Sequence, residues 1–124
     1  MTLQELYAAI DGDYESALRV LRIDKLIDKH ICRLPGNAIF NDLFESAAQR
    51  DAVRVFESSH AIKGVCGNLG LVKLSGLASD ITESFRPGNP RTMSDSELDA
   101  KVAEVREIFE RSVEGIRRYE SEKQ

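Results

Sequence analysis

The segment HAIKGVCGNLG, residues 60 to 70, places a histidine and a lysine three positions apart beside three glycines. A neutral imidazole is a good nucleophile toward phosphorus. A cation one helical turn away can stabilise phosphoryl oxygens as negative charge develops on them. His60 and Lys63 therefore have the residue types and the spacing needed to accept a phosphoryl group and pass it on. Because such transfer depends mainly on alignment and charge, a partner could supply the remaining carboxylate and metal ion.

The glycines raise the question of whether this segment is a helix. Each glycine within a helix costs about 1 kcal/mol relative to alanine. A helical projection nevertheless gives two distinct faces. Within about 60° of His60 lie Lys63, Gly64, Gly67 and Leu71, and opposite them lie Ile62, Val65, Cys66 and Leu69. We therefore expect a helix whose His60 points to solvent, beside a surface that Gly64 and Gly67 leave open to a partner's backbone. Gly70 is expected at a close-packing or bend position.

Two apolar residues precede the histidine on the same side of this predicted helix. Phe56 lies one turn before His60, and Val53 lies near the same line. An exposed aromatic residue at this place would form a docking patch for an apolar helix of a partner. The alternative is that Phe56 packs at the edge of its own helix. Phe56 and Val53 are therefore candidate docking residues.

Apolar residues at helical spacing extend through most of the chain. The segments with this spacing are residues 2–10, 13–34, 38–49, 51–69 and 72–85, with a last helix after Ser94. The predicted N-caps are Thr2, Asp13, Asp51 and Ser94, the last in a capping box with Glu97. The pattern does not decide whether a turn near residues 23 and 24 divides the second segment. No segment has the alternation of apolar and polar residues that is typical of a strand. The prediction is an all-α antiparallel four-helix bundle with one or two short N-terminal helices, a single domain over residues 1–124.

The last helix has a long apolar stripe. Its members are Leu98, Val102, Val105, Phe109, Ser112, Ile116 and Tyr119. We expect the stripe to pack within the chain, which predicts a monomer, although such a stripe could also join two copies. The remaining surface carries the acids Glu104, Glu107, Glu110 and Glu114 and the bases Lys101, Arg106, Arg111 and Arg117, predicted to be solvated and paired.

Composition narrows the function classes. The formal charge is −4 and the pI about 5.2, so no basic surface indicates nucleic acid or an anionic membrane. No apolar run approaches the roughly 18 residues of a membrane span, and nothing at the N-terminus resembles a signal peptide. Cys32 and Cys66 lack CxxC spacing and are predicted to be small core residues. A reduced, cytoplasmic protein is expected.

The segment from His60 to Gly70 resembles the signature of the histidine phosphotransfer (HPt) domain. In that signature the phosphoaccepting histidine is followed by a hydrophobic residue, lysine and glycine, then a small residue, and then a hydrophobic residue with glycine or alanine. The chain resembles the HPt domain in other features as well: the acidic start DGDYESAL, an LP between helices, an RD turn nine residues before the histidine, and a following helix with ASDITESF. The resemblance covers residues 10 to 88. Cys66 and Ser59 depart mildly from it, since alanine or serine is commoner at the first position and alanine at the second.

The resemblance implies a four-helix bundle that relays phosphate between a receiver-domain aspartate and its own histidine. His60 would carry the phosphoryl group on the ring nitrogen farther from the backbone, Lys63 would neutralise it, and Gly64 would admit the receiver. The implied partners are response-regulator receiver domains and hybrid histidine kinases. The chain itself would be a phosphocarrier and no enzyme, with no cofactor, and Mg²⁺ would belong to the receiver.

Other interpretations compete with this one. A helical module could bind receiver domains without carrying phosphate. The phosphoacceptor part of a histidine kinase is disfavoured, because His60 lacks the acidic residue that usually follows there and the chain has no ATP-binding domain. GVCGNLG is no nucleotide loop, because no strand precedes it and Lys63 comes before its glycines. His30 lacks partners at zinc-ligand spacing, so no metal site is predicted.

Overall fold

The computed structural model describes residues 1–123, which form α-helices joined by short turns, with no strand among them. The helices are α1 (Leu3–Ala9), α2 (Tyr14–Leu21), α3 (Asp24–Arg33), α4 (Ile39–Ala48), α5 (Ala52–Asn68), α6 (Val72–Phe85) and α7 (Asp95–Glu122), with a 3-10 turn at Leu34–Gly36. The helices α4 to α7 pack in a ring, each against the next and α7 against α4. The predicted all-α bundle is therefore confirmed.

Three short helices precede the bundle, where the sequence predicts one or two. The difference arises at Arg22, whose φ of 76° ends α2 and lets α3 begin after Ile23. No glycine or proline marks this break. The three helices close one end of the bundle, because α1 packs on α7, α2 on α5, and α3 on α7.

The helix starts agree with the predicted caps. The side chains of Thr2 and Ser94 form capping boxes with Glu5 and Glu97, respectively. Asp13 accepts a hydrogen bond from the amide of Ser16, at 3.0 Å. Asp51 accepts one from the amide of Arg54, at 3.2 Å, and so fixes where α5 begins. Each cap satisfies a backbone donor that would otherwise lack a partner in the first turn.

The apolar stripe of α7 is used within the chain, as predicted. It packs on α1, α3, α4 and α6, and its members are buried except the half-buried Phe109. The Phe109 ring stacks on Phe40 with centroids 3.9 Å apart.

The predicted pairing along α7 is wrong for the acids in the middle of the helix, although Arg118 and Glu122 near its end do form an ion pair at 3.2 Å. Within residues 1–123, the acids Glu104, Glu107, Glu110 and Glu114 are exposed and form no ion pair. Bases of this helix reach other elements instead. Lys101 lies 3.1 Å from Asp80 of α6, and the guanidinium of Arg106 lies over the Phe44 ring at 4.1 Å. Lys101 and Arg106 therefore contact neighbouring helices and not the acids of their own helix.

Within residues 1–123, none of the helices combines the length and the apolar character that a bilayer crossing requires.

Candidate functional site

The helix α5 carries the candidate site and has two unlike faces. Its inner face holds Val55, Ser59, Ile62 and Cys66, all fully buried. Its outer face holds His60, Gly64 and Gly67, all exposed. Gly64 and Gly67 thus do not prevent a helix, which continues as far as Asn68. The outward orientation of His60 agrees with the helical projection of the sequence.

The imidazole of His60 lies beside an aromatic ring one turn earlier. Phe56 and His60 are nearly parallel, with an interplanar angle of 13° and ring centroids 5.7 Å apart. Phe56 is half-buried, and the guanidinium carbon of Arg86 from the end of α6 lies 5.6 Å from its centroid. Phe56 therefore contacts its own chain on one side and supports the His60 ring on the other. Val53 is 67% exposed, so the apolar surface extends one turn further.

Lys63 is directed toward α6. Its Nζ lies 3.9 Å from Oε1 of Glu83, and its side chain is 39% exposed. Glu83 in turn accepts two hydrogen bonds from Arg86, at 3.1 Å from Nε and 2.9 Å from Nη2. The sequence interpretation found Lys63 but missed Glu83 and Arg86. Their three-residue spacing on one helix was the available signal, yet it does not reveal that they lie beside His60.

Glu83 and Arg86, which lie beside His60, favour each other's ionised form. The hydrogen bond from Arg86 lowers the pKa of the Glu83 carboxyl, and the positive charge of Lys63 acts in the same direction. The same hydrogen bond raises the pKa of Arg86. A carboxylate and two basic side chains therefore stand next to the histidine at neutral pH.

Gly64 and Gly67 differ in what surrounds them. A Cβ atom at Gly64 would meet nothing within 4 Å, so this position opens the surface beside His60. A Cβ at Gly67 would lie 3.4 Å from Oγ of Ser75 on α6. Gly67 is exposed but also lies against its own chain. The predicted open surface is therefore clearest at Gly64.

Two hydroxyl groups lie behind the histidine. The oxygens of Ser59 and Thr82 are 3.0 Å apart, and both residues are fully buried. Thr82 also lies 2.7 Å from the carbonyl oxygen of Ala78, and Ser59 donates to that of Phe56. Hydrogen bonds to such partners offset the cost of removing these hydroxyls from water. The pair connects α5 to α6 at the level of His60.

The end of the motif is fixed by the N-terminal helices. Gly70 has a φ of 69°, and a Cβ there would lie 2.2 Å from the carbonyl oxygen of Asp13. The amide of Asp13 donates to the Gly70 oxygen at 2.7 Å, and the Tyr7 hydroxyl donates to the Leu69 oxygen at the same distance. Gly70 is thus both the bend and the close-packing position that the sequence predicts.

One assignment to the histidine face is wrong. The helical projection places Leu71 on that face, but α5 ends at Asn68 and Leu71 is only 3% exposed. The turn at Gly70 redirects the chain, and the Leu71 amide donates to the Cys66 oxygen at 2.9 Å. A projection with a constant angle fails once the helix has ended.

The cysteines and His30 lie apart from this site. Cys66 is fully buried, as predicted, and burial raises the pKa of its thiol to about 12. Cys32 is half-buried at the edge of the core, and both thiols are free. His30 lines a separate cavity of about 240 Å³ with Arg33 and Asn68. Among residues 1–123, no three histidine, cysteine, aspartate or glutamate side chains are grouped to hold a metal ion.

Taken together, the geometry is that of a helical bundle presenting one histidine, with a lysine near it, on an exposed and locally flat helix face. The family model of the Hpt domain matches residues 2–115 of the 124-residue chain. The chain therefore belongs to the Hpt family, whose members are phosphocarriers that interact with receiver domains and kinases in phosphorelays. Comparison with the curated proteins and with the solved structures gave no match.

Proposed function

We propose that this chain receives a phosphoryl group on His60 from the aspartate of one receiver domain and delivers it to the aspartate of another. The observation that supports this most directly is the exposed His60 beside Gly64, where a Cβ would meet nothing within 4 Å. A receiver's backbone can approach the imidazole closely at such a place. The match to the Hpt family supports the same class of reaction.

The transfer needs few groups from this chain. The lone pair of the ring nitrogen farther from the backbone attacks phosphorus, and the proton stays on the other ring nitrogen. As the N–P bond forms, the P–O bond of the aspartyl phosphate breaks and its electron pair leaves with the carboxylate. Lys63 balances charge on the phosphoryl oxygens. Delivery to the next receiver is the same step in reverse.

The remaining parts of the site belong to the partner in this proposal. The receiver supplies the aspartate and Mg²⁺, and this chain contributes neither a nucleotide site nor a cofactor. Response-regulator receiver domains and hybrid histidine kinases are the proposed partners, with Phe56 and Val53 as docking residues and Gly64 and Gly67 as the approach surface. We further propose that the chain acts as a cytoplasmic monomer and as one domain over residues 1–124.

The test is transfer of label from phosphorylated receiver domains. The purified chain is mixed with several of them in the presence of Mg²⁺, with the His60→Gln variant in parallel. We expect acid-labile, alkali-stable label on the wild-type chain and none on the variant. His60→Gln should change the free energy of unfolding by less than about 0.5 kcal/mol relative to wild type, since an exposed side chain contributes little packing.

A folded chain that binds a receiver but takes no label would contradict this proposal. That outcome would favour the alternative of a helical module that binds receiver domains without carrying phosphate. If His60→Gln unfolded the chain, the outward position of the imidazole would be wrong.

A further inference from the structure

The carboxylate of Glu83 lies between two basic side chains beside His60. Its Oε1 is 2.9 Å from Nη2 of Arg86 and 3.9 Å from Nζ of Lys63. Arg86 also lies over Phe56, whose ring is nearly parallel to that of His60. The acid and both bases therefore occupy the side of the histidine that faces α6.

The three charged side chains are free enough to exchange partners. The exposed fractions are 39% for Lys63, 52% for Glu83 and 38% for Arg86. Exposed ion pairs of this kind are weak and can be replaced by a better anion. A phosphoryl group carries up to about two negative charges and three acceptor oxygens. Bound to His60, it would compete with Glu83 for both bases.

Glu83 opposes the phosphoryl group in two ways. It occupies Lys63 and Arg86, and its own negative charge repels a second anion nearby. Because the Arg86 guanidinium lowers the pKa of this carboxyl, Glu83 is ionised at neutral pH and cannot escape the repulsion by taking up a proton.

We infer that Glu83 is a positioning residue that makes the phosphorylated form of His60 less stable and so favours delivery of the phosphoryl group to a receiver. The inference rests on the proposed function, since it assigns a role to a neighbour of the phosphoacceptor. It concerns the electrostatic environment of the phosphoryl group, which can be measured without any receiver.

The first experiment uses phosphoramidate, a small phosphoryl donor. The electron pair of its P–N bond leaves with ammonia as the bond from His60 to phosphorus forms. A ³¹P NMR titration of the labelled chain then gives the acid dissociation constant of the phosphoryl group. Glu83→Gln should increase that constant about twofold to fivefold, the range that exposed charge pairs give. Arg86→Gln should decrease it.

Matched variants separate this effect from a general change of charge. Glu45→Gln removes one negative charge that lies 3.8 Å from Arg54, a base on the α4 side of α5. It should leave the constant nearly unchanged. His60→Gln identifies which ³¹P signal belongs to His60 rather than to His30. The difference between Glu83→Gln and wild type should also shrink at high salt, because these charges are exposed.

The second experiment measures the equilibrium share of label between the chain and a receiver. Glu83→Gln should move that share toward the chain, again about twofold to fivefold. If Glu83→Gln and Glu45→Gln behave alike in both experiments, the role of Glu83 is refuted while the relay stands. If the ³¹P titration shifts as expected but no receiver exchanges label, the relay is refuted and the electrostatic role of Glu83 remains.

Discussion

The inner face of α5 carries Val55, Ile62 and Cys66, which are fully buried, whereas its outer face carries His60 and Gly64, which are exposed. Both faces come from one run of 17 helical residues. The inner face packs α5 into the bundle, and the outer face is the one that the proposed function assigns to a partner. Under the proposed function, substitutions on the two faces should therefore alter stability and phosphoryl transfer separately.

The two glycines Gly64 and Gly70 give the same contrast at single positions. Nothing lies within 4 Å of a Cβ at Gly64, but a Cβ at Gly70 would lie 2.2 Å from the Asp13 oxygen. Gly64 leaves open space beside His60, whereas Gly70 permits close contact within the chain. Substitutions at both glycines test this difference.

The largest effect on stability is expected for Gly70→Ala. The positive φ of Gly70 and the clash with backbone should together lower the free energy of unfolding by about 2 to 5 kcal/mol. Gly64→Ala should instead leave it unchanged or raise it by up to about 1 kcal/mol, because alanine is the better helix former. Urea unfolding of both variants is the measurement. Equal midpoints would contradict the close contact between Gly70 and Asp13.

Substitution of Ile62, inside the bundle, should lower stability about as much as Gly70→Ala does. Ile62→Ala removes a fully buried side chain and should lower the free energy of unfolding by about 2 to 5 kcal/mol. Val53→Ala on the same helix, where the side chain is 67% exposed, should change it by less than about 0.5 kcal/mol. Urea unfolding followed by circular dichroism compares the two. A large loss for Val53→Ala would show that the outer face also supports the fold.

Gly64→Gln tests whether a larger side chain on the outer face hinders the approach of a receiver domain to His60. The added side chain should slow transfer from a phosphorylated receiver about tenfold to a hundredfold, because displacement of the reacting groups by about 1 Å has effects of this size. Labelling by phosphoramidate, which is small, should remain near the wild-type rate. Rapid-quench kinetics with both donors measures the difference. If labelling from both donors slowed equally, the substitution would have impaired the reactivity of His60 itself and not the approach of the receiver.

A smaller effect on stability than at Gly70 or Ile62 is expected for a substitution of Asp28, which lies on α3 and contacts α7 far from His60. Asp28 accepts hydrogen bonds from Lys123 at 2.7 Å and Tyr119 at 2.6 Å, and these lower the pKa of its carboxyl. A lowered folded-state pKa stabilises the protein above the unfolded value near 4 and loses this contribution as pH falls through the folded value. Asp28→Asn should therefore lower the free energy of unfolding by about 1 kcal/mol at pH 7.

The check is the free energy of unfolding of wild type and Asp28→Asn from pH 7 down to pH 3. The difference between the two should narrow below about pH 4. A constant difference across this range would indicate that Asp28 contributes through packing and not through its charge.

Several features were determined by the sequence alone. The caps Thr2, Asp13, Asp51 and Ser94 and the outward position of His60 depend on residues a few positions apart. Each is therefore encoded in a short stretch of chain. Repetition of apolar residues at helical spacing was also enough to predict the bundle, because a helix must bury its apolar face against another element.

Other features were decided by the tertiary structure. The break at Arg22 lies at a positive φ that no glycine signals. Glu83 lies 23 positions after His60 and reaches the site only because α6 packs against α5. Lys101 of α7 pairs with Asp80 of α6 for the same reason. Helical spacing is a local property, whereas the neighbours of a side chain depend on which helices share a core, and that follows from the packing of the whole chain.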